Sequence, residues 1–241
     1  MKIAVITPYY KESIEVLRQC HQSVLTQNIS ADHFFIADGF PNEELMSWNI
    51  KHISLPQAHA DYGDTPRGIG SMLADVEGYD FIAYLDADNW FHPNHLSSLL
   101  NLYEETKADV CTSFRTFHTL EGIEMPIYEA VEQAFNHVDT SCFLLHRNAF
   151  DALDIWLKMP QYLHIIGDQV FFHGLKSKKY RIVSTRKKTV AYRSSFKPHY
   201  LAANIEPPPS SRDKSSSYYQ RLSSIAGIKE VVERLGFIPI E

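Results

Sequence analysis

The chain has 241 residues, a formal net charge of −6 and a sequence pI of about 6.0. A general nucleic-acid-binding protein would carry a strongly basic surface, so this charge balance excludes that class of partner. The length suffices for a full hydrophobic core, and no Pro-, Gly- or Ser-rich linker divides the middle of the sequence. We therefore expect one large α/β domain.

The cysteines and the apolar segments indicate the compartment. Cys20, Cys111 and Cys142 are widely spaced and odd in number, which suggests neither a disulfide framework nor a paired-cysteine metal site. The N-terminal residues lack the features of a signal peptide, and no stretch approaches the roughly 18 apolar residues of a membrane span. The sequence predicts a cytoplasmic protein without transmembrane segments, or one bound peripherally to the inner face of a membrane.

Apolar runs alternate with segments of helical spacing in the first half of the chain. Strands are expected at 3–6, 34–37, 81–85 and 109–114, and a helix is expected at 14–25. A further helix should follow Pro93, because proline is well tolerated at the start of a helix. The alternation is typical of a mostly parallel sheet with right-handed crossovers.

The second half is less regular. Its pattern predicts strands near 139–146 and 180–185, a short helix at 148–157, and a helical tail at 215–235 that ends before Gly236. Eight basic and no acidic residues lie between Lys176 and Arg193. We interpret them as a solvated hairpin face. The functional alternative is a patch for an anionic acceptor or an anionic membrane surface, centred on residues 186–188.

The most informative feature is Asp86-Ala87-Asp88, which ends an apolar run. Side chains alternate along a strand, so carboxylates two residues apart point the same way, as a divalent cation bound to a diphosphate would require. An isolated acidic pair is also a common polar turn. Since ligands of parallel sheets lie off the carboxyl ends of the strands, a metal-nucleotide site is the leading hypothesis.

Four segments, taken in order, resemble the family-two glycosyltransferases of the GT-A fold: 5–10, 36–39, 84–88 and 165–172. Within that family, 139–147 and 167–172 are most similar to the spore-coat polysaccharide enzymes. The resemblance implies a single GT-A domain at 1–200, with a Rossmann-like nucleotide-binding half at about 1–108 and an acceptor-binding half at 109–200. A flexible loop and a C-terminal helix would then occupy 201–241.

The resemblance also implies roles for the residues of the donor site. Thr7, Pro8 and Tyr9 match the loop that embraces the base and ribose, and Asp38 matches the residue that hydrogen-bonds uracil. A carboxylate can accept the imide N–H of uracil or thymine. As a bare dipeptide, however, Asp38-Gly39 would be an ordinary turn. Arg67 matches the basic residue near the base and phosphates, where a guanidinium offers a permanent positive charge.

The remaining roles concern the metal and the chemistry. Asp86, followed by Ala87, matches the carboxylate beside the ribose, and Asp88 matches the ligand of Mg²⁺ or Mn²⁺. A divalent ion would offset the charge on the leaving diphosphate. His199 lies where some enzymes of this fold have a further metal ligand, although a polar surface histidine is the simpler interpretation.

Asp168 matches the general base of the family, with Asp139 as the next candidate. A helix N-cap is the structural alternative for Asp168.

The resemblance predicts an inverting, metal-dependent hexosyltransferase of polysaccharide biosynthesis. It would move a sugar from a nucleotide-diphosphate sugar, with UDP or dTDP favoured, to a carbohydrate or lipid-linked acceptor. One alternative is a sugar-nucleotide-binding protein without turnover. The other is a sugar-1-phosphate nucleotidylyltransferase, although residues 7–10 replace the Gly-rich, Arg-containing loop expected after its first strand.

Overall fold

A nine-stranded sheet organises the computed structural model, which describes residues 1–127, 137–213 and 215–239. The strand order is β3-β2-β1-β4-β8-β6-β9-β5, and β7 pairs with β6. The strands are β1 (Ile3–Tyr9), β2 (Asp32–Ala37), β3 (Lys51–Ser54), β4 (Phe81–Tyr84), β5 (Trp90–Phe91), β6 (Val110–His118), β7 (Glu124–Met125), β8 (Phe143–His146) and β9 (Ile182–Arg193).

Parallel pairing dominates the sheet. Strands β1 to β4 are joined by parallel pairs, and the long β6–β9 pair is also parallel. Strand β8 is antiparallel to both of its neighbours, β4 and β6, and so joins the two parallel regions. The predicted α/β fold with a mostly parallel sheet is confirmed.

Helices cover the sheet and connect its strands. They are α1 (Ile14–Leu25), α2 (Asp64–Val76), α3 (His95–Thr106), α4 (Ile155–Lys158), α5 (Gly167–Ser177), α6 (Lys197–Ala202), α7 (Ser217–Leu222) and α8 (Ile225–Leu235). Every residue of β1 is buried, as expected for a central strand covered on both faces. Helix α1 buries Leu17, Cys20 and Val24, whose spacing places them on one face.

Helix α2 lies close against the sheet. A Cβ atom added at Gly70 would lie 2.6 Å from Cδ1 of Ile36 and 2.9 Å from Cγ2 of Ile6. A larger residue would therefore push the helix away from β1 and β2. This close packing positions the first turn of α2, which carries Asp64 and Arg67, at the edge of the sheet where the cavity lies.

The basic segment is not a hairpin, so that prediction was wrong. Residues 182–193 form one continuous strand that is parallel to β6. Its register with β6 shifts between Thr112 and Arg115, and Arg186 has a φ of 55° at this bulge. A bulge adds residues to one strand only, and Arg186, Lys187 and Lys188 accordingly point outward into solvent.

Two further elements differ from the predictions. The segment at 148–157 comprises a 3₁₀ helix (Arg147–Ala152) and the short α4 rather than one helix. The tail contains two helices, because Oγ of Ser224 accepts a hydrogen bond from the Gly227 N–H at 3.0 Å and starts α8 anew. Helix α8 ends before Gly236 as predicted, since this glycine has a φ of 79°.

No helix among the described residues is both long and apolar enough to cross a membrane. Cys20, Cys111 and Cys142 are buried, and none of these three residues forms a disulfide.

Candidate active site

A cavity of about 500 Å³ lies where β1, β2 and β4 end and where α5 begins. Residues from both halves of the chain line it. Eight of the residues predicted for the site are among them: Pro8, Tyr9, Asp38, Arg67, Asp86, Ala87, Asp88 and Asp168. The carboxyl ends of the parallel strands thus meet the N-terminal turn of α5 at one cavity.

The turn that carries Asp86 and Asp88 is fixed by the acceptor half. The Asp86 N–H donates to Oγ of Ser141 at 3.1 Å, and Nδ2 of Asn89 donates to the same oxygen. From the other side, Nε of Arg193 donates to the backbone oxygen of Asp88 at 3.0 Å. These bonds hold the backbone of the turn, so its two carboxylates keep a fixed direction toward the cavity.

The two carboxylates of this turn differ in their partners. Asp86 accepts a hydrogen bond from Nη2 of Arg67 at 2.7 Å. The Asp88 carboxylate accepts no hydrogen bond from any described residue. It is open to solvent, yet protein surrounds it within the cavity, and this desolvation raises the pKa of Asp88 to about 7, with Asp86 and Glu12 adding to the shift. Asp88 thus lies in a local excess of negative charge.

The oxygens of this turn fit a hard divalent cation. Carboxylate oxygens are the ligands that Mg²⁺ prefers, and Mg²⁺ is commonly bound by one or two carboxylates together with substrate phosphates. The described residues contain no group of three or more His, Cys, Asp or Glu side chains that could hold a metal ion. Asp88 would therefore share such an ion with the oxygens of a diphosphate or of water.

A buried chain of polar groups lies beneath Asp86. Oδ2 of Asp64 is 2.9 Å from Nδ1 of His164, and Oδ1 of Asp64 accepts a hydrogen bond from Nη1 of Arg67 at 2.6 Å. Arg67 is 2% exposed, and its guanidinium lies 4.8 Å from the centre of the Trp156 ring. Burial raises the pKa of Asp64 to about 6, although His164 and Arg67 oppose the shift. Arg67 thus neutralises charge within the protein and fixes Asp86.

Asp38 organises the loop that precedes α2. Its Oδ1 accepts the His59 N–H at 2.8 Å, and its Oδ2 accepts the Ala60 N–H at 2.9 Å. The loop is strained, because Ala60 and Tyr62 have φ values of 52° and 61°. Oδ1 of Asp38 also lies 3.0 Å from Nδ1 of His59, which leaves a second lone pair on Oδ2 alone. Asp38 can therefore hold the loop and still accept a hydrogen bond from a ligand.

The Asp38-Gly39 dipeptide is also a structural turn. Gly39 has a φ of 79°, and an added Cβ would lie 2.4 Å from the Ala58 nitrogen. Only glycine fits such a position without strain.

Asp168 is the second residue of α5, and the N-cap position is occupied by Ile166. Asp168 is therefore not the N-cap residue itself, but it still pairs with an N–H of the first turn of α5, as the capping alternative proposed. Its Oδ1 accepts the Gln169 N–H at 2.8 Å, and its Oδ2 lies 2.5 Å from Nε2 of His137. Burial raises the pKa of Asp168, but His137 and Arg115 outweigh burial, so the net pKa is below its ordinary value. Asp168 is thus an ionised carboxylate at the cavity wall.

Asp139 lines the same cavity with a different environment. It forms an ion pair with Arg115, and its Oδ1 accepts the Ser141 N–H at 3.0 Å. The Asp139 side chain is 7% exposed, whereas that of Asp168 is 23% exposed. Asp168 is therefore the more accessible of the two carboxylates to an acceptor.

Two predicted residues lie outside the cavity lining. Thr7 is fully buried within β1, where its Oγ1 is 2.8 Å from Nε2 of His33. His199 lies in α6, with its Nδ1 2.7 Å from Oγ of Ser194 and its ring packed on Phe117. Neither residue is part of the lining that contains Asp86 and Asp88.

The basic residues 186–188 are likewise absent from the cavity lining.

Other cavity residues were not predicted from the sequence. Arg212 reaches the cavity because its N–H donates to the Ser195 oxygen at 2.7 Å, which draws the tail back to the end of β9. Arg193 ended the basic run, but nothing in the pattern indicated its bond to the acidic turn. Asp64 is close to the predicted residue Arg67 in the sequence, whereas no feature of the sequence indicated that His164 would lie at the cavity. The unpredicted lining residues include Tyr10, Glu12, Tyr62, Asp64, His164, Tyr192, Arg193 and Arg212.

Comparison with known proteins identifies the family. Residues 4–157 match the model of glycosyl transferase family 2. The chain belongs to this family. No protein with a curated description matches it.

Solved structures of S. aureus TarS resemble this family 2 chain. TarS 1–349 in complex with UDP-GlcNAc is 18% identical with a TM-score of 0.65, over 97% of this chain and 67% of that one. TarS 1–349 in complex with UDP is 17% identical with a TM-score of 0.61, over 84% of this chain. The matched region is 63% of the UDP-bound chain. At these identities the likeness shows the fold, and the predicted GT-A fold is confirmed.

Proposed function

We propose that this family 2 protein is an inverting, metal-dependent glycosyltransferase that uses a UDP or dTDP sugar. One observation supports this most: a single cavity joins the acidic turn at Asp86 and Asp88 to the ionised Asp168. The first group suits a metal diphosphate and the second suits an acceptor hydroxyl. A protein that only binds nucleotides would not need the second group.

The donor would lie along the ends of β1, β2 and β4. Pro8, Tyr9 and Asp38 would contact the base and ribose, and Asp86, held by Arg67, would contact the ribose. The related TarS chain has been crystallised with UDP and with UDP-GlcNAc. Those ligands support a uridine nucleotide as the first donor to test.

Asp88 would hold Mg²⁺ or Mn²⁺ together with the donor diphosphate, and His199 remains a weaker prediction as a ligand. When bound, the ion would act as a Lewis acid that offsets charge on the leaving diphosphate. The uncompensated charge at Asp88 is the feature of this chain that favours a cation.

Asp168 would act as the general base. It would take the proton of the acceptor hydroxyl as that oxygen attacks the anomeric carbon, and the bond from carbon to the diphosphate oxygen would break. A direct attack opposite the leaving group inverts the anomeric configuration. Its low pKa keeps Asp168 ionised and ready to accept the proton at neutral pH.

The acceptor would be a carbohydrate or a lipid-linked sugar, and a role in polysaccharide biosynthesis is part of the proposal. The similarity to spore-coat enzymes stays a prediction that rests on residues 139–147 and 167–172. The exposed triplet 186–188 is the surface we would assign to an anionic acceptor or to a membrane contact. It lies outside the cavity, so contact with it would not block the donor.

A donor screen tests the proposal. Thermal unfolding would be followed with UDP-glucose, UDP-GlcNAc, dTDP-glucose or GDP-mannose, each with Mn²⁺ or with EDTA. A ligand that binds only the folded state at 100 times its Kd stabilises it by about 2.7 kcal/mol. We expect a uridine or thymidine donor to raise the Tm when Mn²⁺ is present but not when EDTA is present. The Asp38 carboxylate can accept a hydrogen bond from the imide N–H of either base.

Variants and products separate the alternatives. Asp88→Asn should abolish the Mn²⁺-dependent shift, whereas Asp75→Asn, at an exposed position of α2, should not. Binding without release of UDP would identify a binding protein, and pyrophosphate released from UTP would identify a nucleotidylyltransferase. Equal donor affinity with EDTA would contradict the metal site.

A further inference from the structure

His137 and Asp168 form a pair that the proposed reaction has not yet used. Nε2 of His137 lies 2.5 Å from Oδ2 of Asp168, while Oδ1 of Asp168 accepts the Gln169 N–H. The two carboxylate oxygens are therefore bound by groups from two separate segments. Two such bonds fix the plane of a carboxylate, which one bond would leave free to rotate.

The segment after His137 is firmly anchored. Val138 is buried, and Asp139 is tied to Arg115 and to the Ser141 N–H. Ser141 in turn binds the Asp86 N–H. The position of His137 is thus set by the same segment that fixes the donor carboxylate.

Electrostatics supports a charged pair. Burial opposes protonation of His137, but the Asp168 carboxylate outweighs burial, so the net pKa of His137 is raised. Other charged groups that act on the pair are Arg115 from β6, Asp139, and Asp86 of the acidic turn, which interacts with Asp168. Tyr192 of β9 also lies near these acids, and burial keeps its hydroxyl protonated by raising its pKa.

We propose that His137 is a positioning residue for the general base: it fixes the orientation of the Asp168 carboxylate and keeps that carboxylate ionised. His137 is not part of the cavity lining, so it would act through Asp168 and not on the substrate. This inference rests on the proposed function, in which Asp168 is the base. It adds an acid-base partner that neither the family match nor the sequence pattern indicated.

The positive charge of His137 determines the direction in which the pH dependence of the rate should shift. A cation beside Asp168 stabilises its ionised form, so loss of the cation raises the pKa of Asp168. The base would then become protonated at a higher pH. The acid limb of the rate profile should accordingly move to higher pH when His137 is replaced.

The test compares two substitutions at His137 with a control on helix α5. His137→Ala removes both the hydrogen bond and the charge, and His137→Gln keeps an N–H donor without a titrating charge. His173→Ala removes a histidine from α5 that does not line the cavity. The measurement is the rate of UDP release from UDP-GlcNAc with Mn²⁺, in which water takes the place of the acceptor hydroxyl and receives the sugar, as a function of pH, together with the Tm of each variant.

We expect His137→Ala to lower kcat about tenfold, as is common for a misoriented catalytic group, with the donor KM and the Tm little changed. His137→Gln should recover part of kcat while its acid limb stays shifted to higher pH. His173→Ala should match the wild type. By NMR, the His137 ring should titrate at a lower pH in Asp168→Asn than in the wild type.

The failure of this inference differs from that of the proposed function. If Asp168→Asn is inactive while His137→Ala keeps the wild-type kcat and pH profile, only the role of His137 is overturned. If the wild type binds donors but releases no UDP, the proposed function fails and this inference fails with it. An unchanged acid limb in both His137 variants would also overturn it.

Discussion

Each of the two sides of the cavity contains a carboxylate paired with a cation, but the side chains of the two pairs differ in their exposure to solvent. On the donor side, the side chains of Arg67 and Asp64 form a pair that is 2% and 3% exposed, and Arg67 also binds Asp86, which is 31% exposed. On the acceptor side, His137 and Asp168 have side chains that are 32% and 23% exposed. A buried pair fixes geometry and cannot readily exchange protons with solvent, whereas an open pair can. The donor side is thus a rigid frame, and the acceptor side is suited to proton transfer.

The largest effect on stability should come from removing the cation of Arg67. Arg67→Met would leave Asp64 and Asp86 without their shared cation, and removal of one partner from a buried ion pair costs about 3–5 kcal/mol. The free energy of unfolding in urea would measure this loss. Arg212→Met is the matched control, because Arg212 is exposed and should change stability by about 0.5 kcal/mol or less. A loss below 1 kcal/mol at Arg67 would mean that the pair is not a rigid frame.

A substitution on the acceptor side, at Asp168, should instead change the transfer rate without changing the stability of the fold. Asp168→Asn should reduce transfer about a hundredfold or more, equivalent to about 2.7 kcal/mol of barrier, because the amide cannot accept the proton. Donor binding and Tm should stay near the wild-type values. Steady-state kinetics and calorimetry with UDP and Mn²⁺ would check both. A variant that transfers sugar at the wild-type rate would redirect the search for the base to Asp139.

A smaller effect should arise where the two sides touch. A Cβ at Gly167, the residue before Asp168, would lie 2.3 Å from Oδ2 of Asp64. Both groups are buried, so Gly167→Ala should cost about 1–3 kcal/mol of stability by overpacking. It should also lower the transfer rate, because Asp64 anchors Arg67.

The matched control for that contact is Gly68→Ala in α2. Its added Cβ would come closest, at 2.7 Å, to the end of the Leu157 side chain, which is 39% exposed and can move aside. Alanine also favours a helix over glycine by about 1 kcal/mol. Thermal or urea unfolding of both variants would show whether the contact at Gly167 is rigid. Equal stability of the two variants would indicate that α5 can shift away from Asp64.

The sequence by itself determined the donor half. The apolar runs of β1, β2 and β4 were recognisable because each is local and continuous. Strand β4 ends at Tyr84, so the prediction that alternation along the strand directs Asp86 and Asp88 was wrong. Both residues lie in the turn after β4 and still line the cavity. Thr7, Pro8 and Tyr9 were expected in the loop after the first strand, but all three lie within β1, and of these Pro8 and Tyr9 line the cavity. Strand β1 continues to Tyr9, so Thr7 is fully buried and its hydroxyl bonds His33.

Tertiary structure alone decided the rest of the cavity. Asp64 and His164 are 100 residues apart, and His137 and Asp168 are 31 apart, so no local pattern couples them. They meet because antiparallel β8 lies between β4 and β6 and brings the 139–142 segment under the acidic turn. Such contacts depend on strand order and on the packing of α5 against α2. Short-range propensity cannot encode either, which is why the sequence indicated Arg67 and Asp168 as site residues but not the contacts made by His164 and His137.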